Sequence, residues 1–202
     1  MASPTTVIFD LGGVLIDWNP RHLYRKLISD PAEMERFLAE VCTREWHERQ
    51  DRGGDNDEAT ATLIARHLAH ETLIRAWYGR FAEMMLPMPE TETILRALDS
   101  AGVPLFAITN WPAEPFPPPA DRFGFIDVFR DVVVSGRVGC MKPDPAIFHL
   151  ALERFAVDAG ETVFIDDNPA NAAAARDLGL HGLHFRDAAT LREELADLGL
   201  PA

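Results

Sequence analysis

The sequence predicts an α/β protein, in which helices cover both faces of a parallel sheet and a further group of helices is inserted after the first strand. Two observations predict the sheet: apolar runs alternate with helical segments over residues 87–202, and these runs are continuously apolar. A third observation predicts the insertion, because residues 17–86 read as helical and hold few strand-like runs. The predicted core therefore comprises residues 1–16 and 87–202, and the predicted helical cap comprises residues 17–86.

The first strand is predicted over residues 5–10, where an apolar run ends in Asp10. Gly12 and Gly13 follow at once, which indicates a turn at the carboxyl end of this strand.

The inserted segment is predicted to be a small helical bundle. Asn19 and Asp30 each precede a proline, and this pairing is typical of a helix start. A polar break over residues 50–57 separates these first helices from a second helical stretch over about 58–85.

Strands and helices are predicted to alternate through the rest of the chain. Residues 90–101 carry Ile94, Leu95 and Leu98 on one helix face, and Gly102 is typical of a helix end. The other predicted strands cover residues 103–109, 132–135, 162–165 and 181–185. Two further helices are predicted to begin near Pro145 and Pro169, and a last helix is predicted over residues 188–198.

Composition limits the partners and the location. Asp and Glu outnumber Lys and Arg by 32 to 19, and the resulting net charge of −13 disfavours nucleic acid and membrane as partners. The sequence holds no basic signal region and no apolar run long enough to cross a bilayer, so a cytoplasmic location is expected. Cys42 and Cys140 are too few for a disulfide framework, and a monomer or homodimer is expected.

Polar residues stand at the ends of the predicted strands, and parallel strands bring such ends to one edge of the sheet, where ligands bind. These residues are Asp10, Thr109, Asn110, Lys142, Asp166 and Asp167. Carboxylates from different strands can hold Mg²⁺, and one carboxylate can attack phosphorus to form an aspartyl-phosphate. A hydroxyl and a lysine can bind the remaining phosphoryl oxygens. The set predicts chemistry on a small phosphorylated metabolite.

Each of these residues alone has a simpler structural interpretation. Asp10 before two glycines is typical of a turn, and Asp166 and Asp167 precede a helix start, where acids are common. Their order and strand context together favour the catalytic interpretation.

Four segments in order resemble the motifs of the haloacid dehalogenase-like (HAD) hydrolase superfamily, subfamily I. They are Phe-Asp-Leu-Gly-Gly-Val-Leu-Ile-Asp at 9–17, Ile-Thr-Asn at 108–110, Lys-Pro-Asp-Pro at 142–145 and Phe-Ile-Asp-Asp-Asn-Pro-Ala-Asn at 164–171. Asp51-Arg52-Gly53 adds a similarity to the bacterial HAD-like α-D-glucose-1-phosphate phosphatase group. The resemblance implies a Rossmann-like core with a C1-type cap, and a Mg²⁺-dependent phosphomonoester hydrolase with sugar phosphates among its candidate substrates.

The resemblance also implies a metal site. Asp10 would be the nucleophile and a metal ligand, and Gly12 would lend its backbone carbonyl. Asp167 would bind the metal directly, and Asp166 would assist it.

A phosphate site is implied beside the metal. Thr109 and Asn110 would bind phosphoryl oxygens, and Lys142 would neutralise charge between the nucleophile and the phosphate. Asn171 would tie the fourth motif to the loops around it.

One position departs from the family pattern. Most HAD phosphatases carry a second aspartate two residues after the nucleophile, which serves as general acid for the leaving group, and this chain has Gly12 there. The loss of a general acid costs about 10²–10⁴-fold in rate. Either the leaving group is a good one, such as an anomeric phosphate, or Asp17, His47 or Glu48 replaces the missing acid.

The same departure leaves alternatives open. 2-Haloacid dehalogenases also lack the second aspartate and need no metal, although adjacent acids such as Asp166 and Asp167 would repel one another without a cation. A catalytically degenerate HAD-fold binding protein is a second alternative. A response-regulator receiver domain is disfavoured, because its acid pair comes early in the chain.

The cap is expected to lie over the strand ends, exclude water and touch the leaving group. Arg52 and Gly53, in the polar break, are the candidates for substrate selection, and a solvated loop is the alternative. Trp46 and Trp111 are candidates for the mouth of the pocket.

Overall fold

The computed structural model describes residues 4–201, and its centre is a five-stranded parallel sheet. The strands along the chain are β1 (Thr6–Phe9), β2 (Ile16–Trp18), β3 (Met85–Pro87), β4 (Leu105–Thr109), β5 (Asp131–Val134), β6 (Thr162–Asp166) and β7 (His181–His184). The order in the sheet is β5-β4-β1-β6-β7, and every neighbouring pair in it is parallel. After β1, the chain adds β4 and β5 on one side of this strand and then β6 and β7 on the other side. The order therefore reverses at the carboxyl end of β1, which is where open α/β sheets bind their ligands.

Eleven α-helices lie within the described residues. They are α1 (Arg21–Tyr24), α2 (Pro31–Glu40), α3 (Arg44–Asp51), α4 (Asn56–Arg66), α5 (Glu71–Gly79), α6 (Pro89–Ser100), α7 (Ala120–Phe123), α8 (Ser135–Val138), α9 (Pro145–Phe155), α10 (Pro169–Asp177) and α11 (Ala188–Asp197). None of the helices within residues 4–201 is long and apolar enough to cross a membrane.

Helices cover both faces of the sheet, and the sheet's side chains divide between two apolar clusters. Ile8 and Phe164 pack on one face with Phe148 of α9, and Phe9 and Ile165 pack on the other face with the larger cluster. All residues of β1, β4 and β6 are buried, which explains why their sequences are continuously apolar. The predicted α/β fold class is confirmed.

Several helix starts follow the predicted cap chemistry. The Asp30 side chain accepts hydrogen bonds from the backbone amides of Ala32 and Glu33, at 2.7 and 3.3 Å. Asn168 accepts one from the Ala170 amide at 3.0 Å. In each case the side chain satisfies a backbone donor that the first turn of the helix leaves without a partner.

A small antiparallel ribbon joins the core to the inserted helices, and the sequence did not predict it. β2 pairs with β3, with Asp17 opposite Leu86 and Trp18 opposite Met85. Each strand has only three residues, too few to set up a recognisable period. The ribbon holds together the two points where the chain leaves and rejoins the core, and the proposed cap boundaries at residues 17 and 86 fall within it.

Candidate active site

Three acidic residues meet where β1 and β6 end. Phe9 pairs with Ile165 in the parallel register, so Asp10 and Asp166 follow side by side at the same edge of the sheet. The Asp10 amide donates to the Ile165 carbonyl at 2.8 Å, which fixes the backbone at this point. One ligand atom from each of Asp10, Asp166 and Asp167 lies within 4.8 Å of the others.

Lys142 lies beneath this cluster with a side chain that is 0% exposed. Its Nζ donates to Asp166 Oδ2 at 2.7 Å and to the Ile108 carbonyl at 2.7 Å, and it lies 2.9 Å from Asp10 Oδ1. These three partners use all three protons of the ammonium group. Burial alone lowers the pKa of Lys142, but the attraction of Asp10 and Asp166 outweighs it, so the pKa is raised and the ammonium stays charged.

Asn110 holds the loop that carries Lys142. Its Nδ2 donates to the Lys142 carbonyl at 2.9 Å, and its Oδ1 accepts from the Lys142 amide at 2.9 Å. Both ends of the Asn110 side chain are therefore engaged with the backbone of another loop. Its side chain positions Lys142, and because Asn110 also lines the cavity, its contact with phosphate stays a prediction.

Asp10 presents one oxygen to the cavity. Its Oδ1 accepts from the Leu11 amide at 2.7 Å and faces Lys142, while Oδ2 has no hydrogen bond within residues 4–201. Burial raises the pKa of Asp10 to about 7, Lys142 opposes this shift, and the nearby Asp166 and Asp167 carboxylates add to it. A cation beside the cluster would relieve this repulsion.

Asp166 is fully buried and heavily hydrogen-bonded. Besides Lys142, it accepts from the Asn168 amide at 2.9 Å and from Asn171 Nδ2 at 2.9 and 3.1 Å. Asn171 thus holds the fourth motif through Asp166. The lone pairs of Asp166 are largely occupied, whereas the neighbouring Asp167 is exposed and free to face a ligand.

The turn after Asp10 is shaped to admit Asp167. Gly13 has a φ of +73°, and a Cβ at this position would lie 2.3 Å from Asp167 Oδ2. Any side chain at residue 13 would push this carboxylate away from the cluster. Hard oxygen donors converging in this way fit the ligand preferences of Mg²⁺, with Asp10 and Asp167 as the accessible carboxylates.

Thr109 ends β4 at the same edge of the sheet as Asp10. The residue is 1% exposed, and its hydroxyl has no hydrogen-bond partner within the described residues. A buried hydroxyl without a partner costs free energy, so its position at this edge fits an oxygen ligand such as a phosphoryl group.

A cavity of about 730 Å³ opens above the cluster, between the core and the inserted helices. Asp10, Gly12, Asn110 and Asp167 line it from the core side, while Thr109 and Lys142 lie just behind its floor. The cavity is several times larger than a phosphoryl group needs. The cavity therefore has room for a ligand much larger than a phosphoryl group.

Aromatic residues form much of the opposite wall: Trp18, Trp77, Phe81 and Trp111. The rings of Phe81 and Trp111 pack edge to face, with their centroids 5.7 Å apart. This contact joins the aromatic residues of the inserted segment to the core. Trp46 packs against Trp77 at 5.5 Å and does not line the cavity, so only Trp111 of the two tryptophans predicted at its mouth does so.

Helix α3 turns one polar face towards the cavity. Four of its residues line the cavity: Arg44, His47, Glu48 and Asp51. Each lies three or four residues from two of the others, which places them on the same face of the helix. Asp17, another predicted candidate for the missing acid, does not line the cavity and is 2.9 Å from His22 Nε2.

Arg52 and Gly53 are not among the residues that line the cavity. Arg52 is exposed, and Gly53 adopts a φ of +96° beside the core, where an added Cβ would lie 3.2 Å from the Gly136 carbonyl oxygen. Of the segment Asp51-Arg52-Gly53, only Asp51 faces the site. The sequence analysis did not single out Asp51 as a catalytic group, although its helical spacing from Arg44, His47 and Glu48 was a usable signal.

The comparisons with known proteins agree with this geometry. Residues 4–179 match the family described as haloacid dehalogenase-like hydrolase, and the chain belongs to this family. Most of the relatives found are named phosphatases, and the chain is a hydrolase that acts on phosphate esters. The narrower resemblance to the glucose-1-phosphate phosphatase group stays a prediction.

Two relatives span nearly the whole chain. The sesquiterpene phosphatase astK of Aspergillus oryzae is 30% identical over 192 residues, covering 95% of this chain and 94% of its own length. The D-ribitol-5-phosphate phosphatase of Bacteroides thetaiotaomicron is 25% identical over 200 residues, covering 94% and 95% respectively.

Solved structures share the fold across two kinds of chemistry. The HAD family enzyme bt-2542 of Bacteroides thetaiotaomicron, in complex with magnesium and inorganic phosphate, has a TM-score of 0.68 at 20% identity, covering 93% of this chain and 98% of its own. A dehalogenase with an intermediate complex has a TM-score of 0.69 at 17% identity, covering 97% and 99%. The fold alone therefore does not distinguish a phosphatase from a dehalogenase. This distinction has to come from the residues of the site.

Proposed function

We propose that this chain is a Mg²⁺-dependent phosphomonoester hydrolase that forms an aspartyl-phosphate on Asp10. The observation that carries the proposal is the convergence of Asp10, Asp166 and Asp167 within 4.8 Å, over a buried Lys142. Three ionised carboxylates close together in a partly buried site repel one another, and the single positive charge of Lys142 does not neutralise all three. A phosphate ester would add further negative charge, which requires a cation.

The metal ligands are proposed to be Asp10, Asp167 and the Gly12 carbonyl, with Asp166 in support. Asp166 supports the site by holding Lys142 and by accepting from Asn168 and Asn171. When bound there, Mg²⁺ supplies a Lewis acid that polarises the phosphoryl oxygens and neutralises their charge.

The chain's own residues then divide the work on the phosphoryl group. Asp10 Oδ2, which has no other hydrogen-bond partner within residues 4–201, attacks phosphorus, and Lys142 holds Oδ1 so that the carboxylate keeps its orientation. The Thr109 hydroxyl donates to a phosphoryl oxygen, and Asn110 keeps the Lys142 loop in place. Water then releases phosphate from Asp10.

The metal-independent 2-haloacid dehalogenase is the second candidate, and the glycine at position 12 favours it. A halide leaves without a proton and needs no general acid. The acid cluster argues against it. Burial raises the pKa of Asp10 to about 7, and the Asp166 and Asp167 carboxylates add to the shift, so without a cation a large share of the nucleophile would be protonated at neutral pH.

The leaving group is proposed to be apolar rather than a sugar. A sugar phosphate was the candidate from the sequence, and the D-ribitol-5-phosphate phosphatase relative supports it. The wall formed by Trp18, Trp77, Phe81 and Trp111 supports an apolar alcohol instead, because these rings offer a large apolar contact area. The name of the sesquiterpene phosphatase relative points the same way.

Metal removal is the first test of the phosphatase proposal. We expect EDTA to abolish phosphate release from p-nitrophenyl phosphate and added Mg²⁺ to restore it, because the carboxylate cluster cannot accept a phosphate ester unaided. The measurement is phosphate release before and after chelation, with a Mg²⁺ titration.

The same assay separates the alternatives when it includes medium-chain alkyl phosphates, glucose 1-phosphate and 2-chloropropionate. EDTA-resistant release of chloride would establish the dehalogenase in place of the phosphatase. A lower KM for glucose 1-phosphate than for the alkyl phosphates would contradict the apolar leaving group. Absence of turnover on every compound, with and without Mg²⁺, would indicate the degenerate binding protein.

A further inference from the structure

Position 12, on the core side of the cavity, has no side chain that could donate a proton to the leaving group. Gly12 lines the cavity at the position where most HAD phosphatases carry their general acid, and a Cβ added there meets no heavy atom within 4 Å. The space that the missing side chain would fill is therefore open. An alcohol leaving group still has to be protonated, so the proton must come from another residue that faces the cavity.

Three acidic residues of the inserted helices line the cavity, and two of them are engaged in ion pairs. Glu35 pairs with Arg21 at 2.5 Å, and Glu48 pairs with Arg44 at 2.7 Å. The hydrogen bond from Arg21 lowers the pKa of Glu35, and the Glu48 carboxylate is occupied by its contact with Arg44. The third acid is Asp51, at the last position of α3.

Asp51 has no such partner among the described residues. It is 6% exposed, and its Oδ1 has no hydrogen bond, with His47 Nε2 at 3.7 Å as its nearest basic group in an ion-pair geometry. A buried carboxyl group without a partner is costly when it is ionised and far less so when it is protonated.

The surroundings of Asp51 keep a substantial share of its carboxyl group protonated near neutral pH. Burial raises its pKa to about 7, the Glu48 carboxylate adds to the shift, and Arg44 opposes it. Burial also lowers the pKa of His47 to about 3, so this imidazole is neutral and lends no positive charge. His47 Nδ1 lies 3.2 Å from the hydroxyl of Tyr78.

The end of α3 is seated on the catalytic side of the core. Gly53 lies against the Gly136 carbonyl, and the Gly136 amide donates to the Trp111 carbonyl at 3.0 Å. Trp111 follows Thr109 by two residues, at the carboxyl end of β4. This contact holds Asp51 at the boundary between the inserted helices and the strand ends, where it lines the same cavity as Asp10.

We propose that Asp51 is the general acid of this enzyme and replaces the aspartate that is missing at position 12. This proposal rests on the proposed phosphatase function. It selects a residue other than Asp17, His47 and Glu48: Asp17 lies outside the cavity, His47 is a neutral base, and Glu48 is paired with Arg44.

The proton balance is complete with water as the only co-reactant. In the first step Asp10 Oδ2 forms a bond to phosphorus, the phosphorus–oxygen bond to the leaving group breaks, and the leaving oxygen takes the Asp51 proton. In the second step the Asp51 carboxylate takes a proton from the attacking water, whose oxygen bonds to phosphorus as the bond to Asp10 breaks. Phosphate leaves with Asp10 ionised and Asp51 protonated again.

Leaving-group dependence tests the assignment. In Asp51→Asn we expect kcat on an alkyl phosphate, whose alkoxide needs a proton, to fall about 10²–10⁴-fold. With p-nitrophenyl phosphate, whose leaving group departs as an anion, we expect the initial burst of p-nitrophenolate that accompanies phosphorylation of Asp10 to keep nearly its wild-type rate, because only the later hydrolysis of the aspartyl-phosphate needs Asp51. Asn preserves the shape of the side chain and removes a buried group that is costly when ionised, so the variant should fold. The matched control is Glu45→Gln, an exposed acid on the same helix that does not line the cavity.

A rescue variant and a pH profile distinguish proton donation from a structural role. Adding Gly12→Asp to Asp51→Asn should restore turnover of the alkyl phosphate, because position 12 has room for a side chain. The wild-type kcat on the alkyl phosphate should fall as pH rises through about 7, since the protonated form of Asp51 is the active one, and Asp51→Asn should lack this limb.

A loss in the rate of the p-nitrophenolate burst equal to the loss in kcat on the alkyl phosphate in Asp51→Asn would overturn the assignment while leaving the phosphatase intact. Selective loss in Glu48→Gln instead would give the role to Glu48. Failure of the wild-type protein to hydrolyse p-nitrophenyl phosphate with Mg²⁺ would be a failure of the proposed function itself.

Discussion

Replacement of Asp10 by Asn is expected to lower kcat for phosphate release by about 10⁴-fold or more, because it removes the oxygen that attacks phosphorus. The fold should persist. Asn keeps an oxygen that can accept from the Leu11 amide, and it removes one charge from a crowded, buried cluster. Phosphate release with Mg²⁺ and the thermal midpoint of unfolding measure the two effects separately.

Asp131→Asn is the matched control for this variant. Asp131 begins β5 at the opposite end of the sheet and forms an ion pair with Arg154 at 2.6 Å. Such a surface pair is worth about 0–1 kcal/mol, so kcat should be unchanged and stability almost so. An Asp10→Asn protein that retained activity within about tenfold of the wild type would remove Asp10 from the nucleophile's role.

Replacement of Lys142 by Met is expected to lower the free energy of unfolding by about 3–5 kcal/mol in metal-free buffer, besides abolishing activity. The ammonium group is the buried positive charge that faces both Asp10 and Asp166, and it also satisfies the Ile108 carbonyl. Without it, two buried carboxylates confront each other. Urea denaturation at neutral pH measures the loss.

Lys26→Met supplies the comparison for this variant. Lys26 forms an exposed ion pair with Glu83 at 3.0 Å, so its loss should cost no more than about 1 kcal/mol. Combining Lys142→Met with Asp166→Asn should recover part of the stability and none of the activity. A loss below about 1 kcal/mol for Lys142→Met alone would mean that the ion pairs at the sheet edge do not stabilise the fold.

The sheet and most of the floor of the site could be predicted because both follow from local patterns. The buried strands are continuous apolar runs, and in a parallel sheet the residues after such runs share one edge. Asp10, Thr109 and Asp166 could therefore be grouped without coordinates. The hydrogen bonds of the site could not be predicted in this way. The two bonds between Asn110 and the Lys142 backbone, for example, join residues from different loops.

The inserted helices were harder to interpret than the core. The three-residue strands β2 and β3 gain their structure from pairing with each other across most of the insertion, which no local pattern records. The motif made Arg52 and Gly53 the candidates for substrate selection, but Asp51 is the residue of this segment that lines the cavity. The direction of a side chain at a helix end depends on how that helix is seated, here through Gly53 against Gly136.

The residue that carries phosphate during turnover can be identified directly by mass spectrometry. Enzyme quenched in acid while hydrolysing p-nitrophenyl phosphate with Mg²⁺ is digested, and the peptides are searched for one added phosphoryl group. We expect this group on Asp10 in the wild-type protein and none in Asp10→Asn. A phosphoryl group on a different residue, or a peptide map without one during steady turnover in a trapping time series, would contradict an enzyme that works through Asp10.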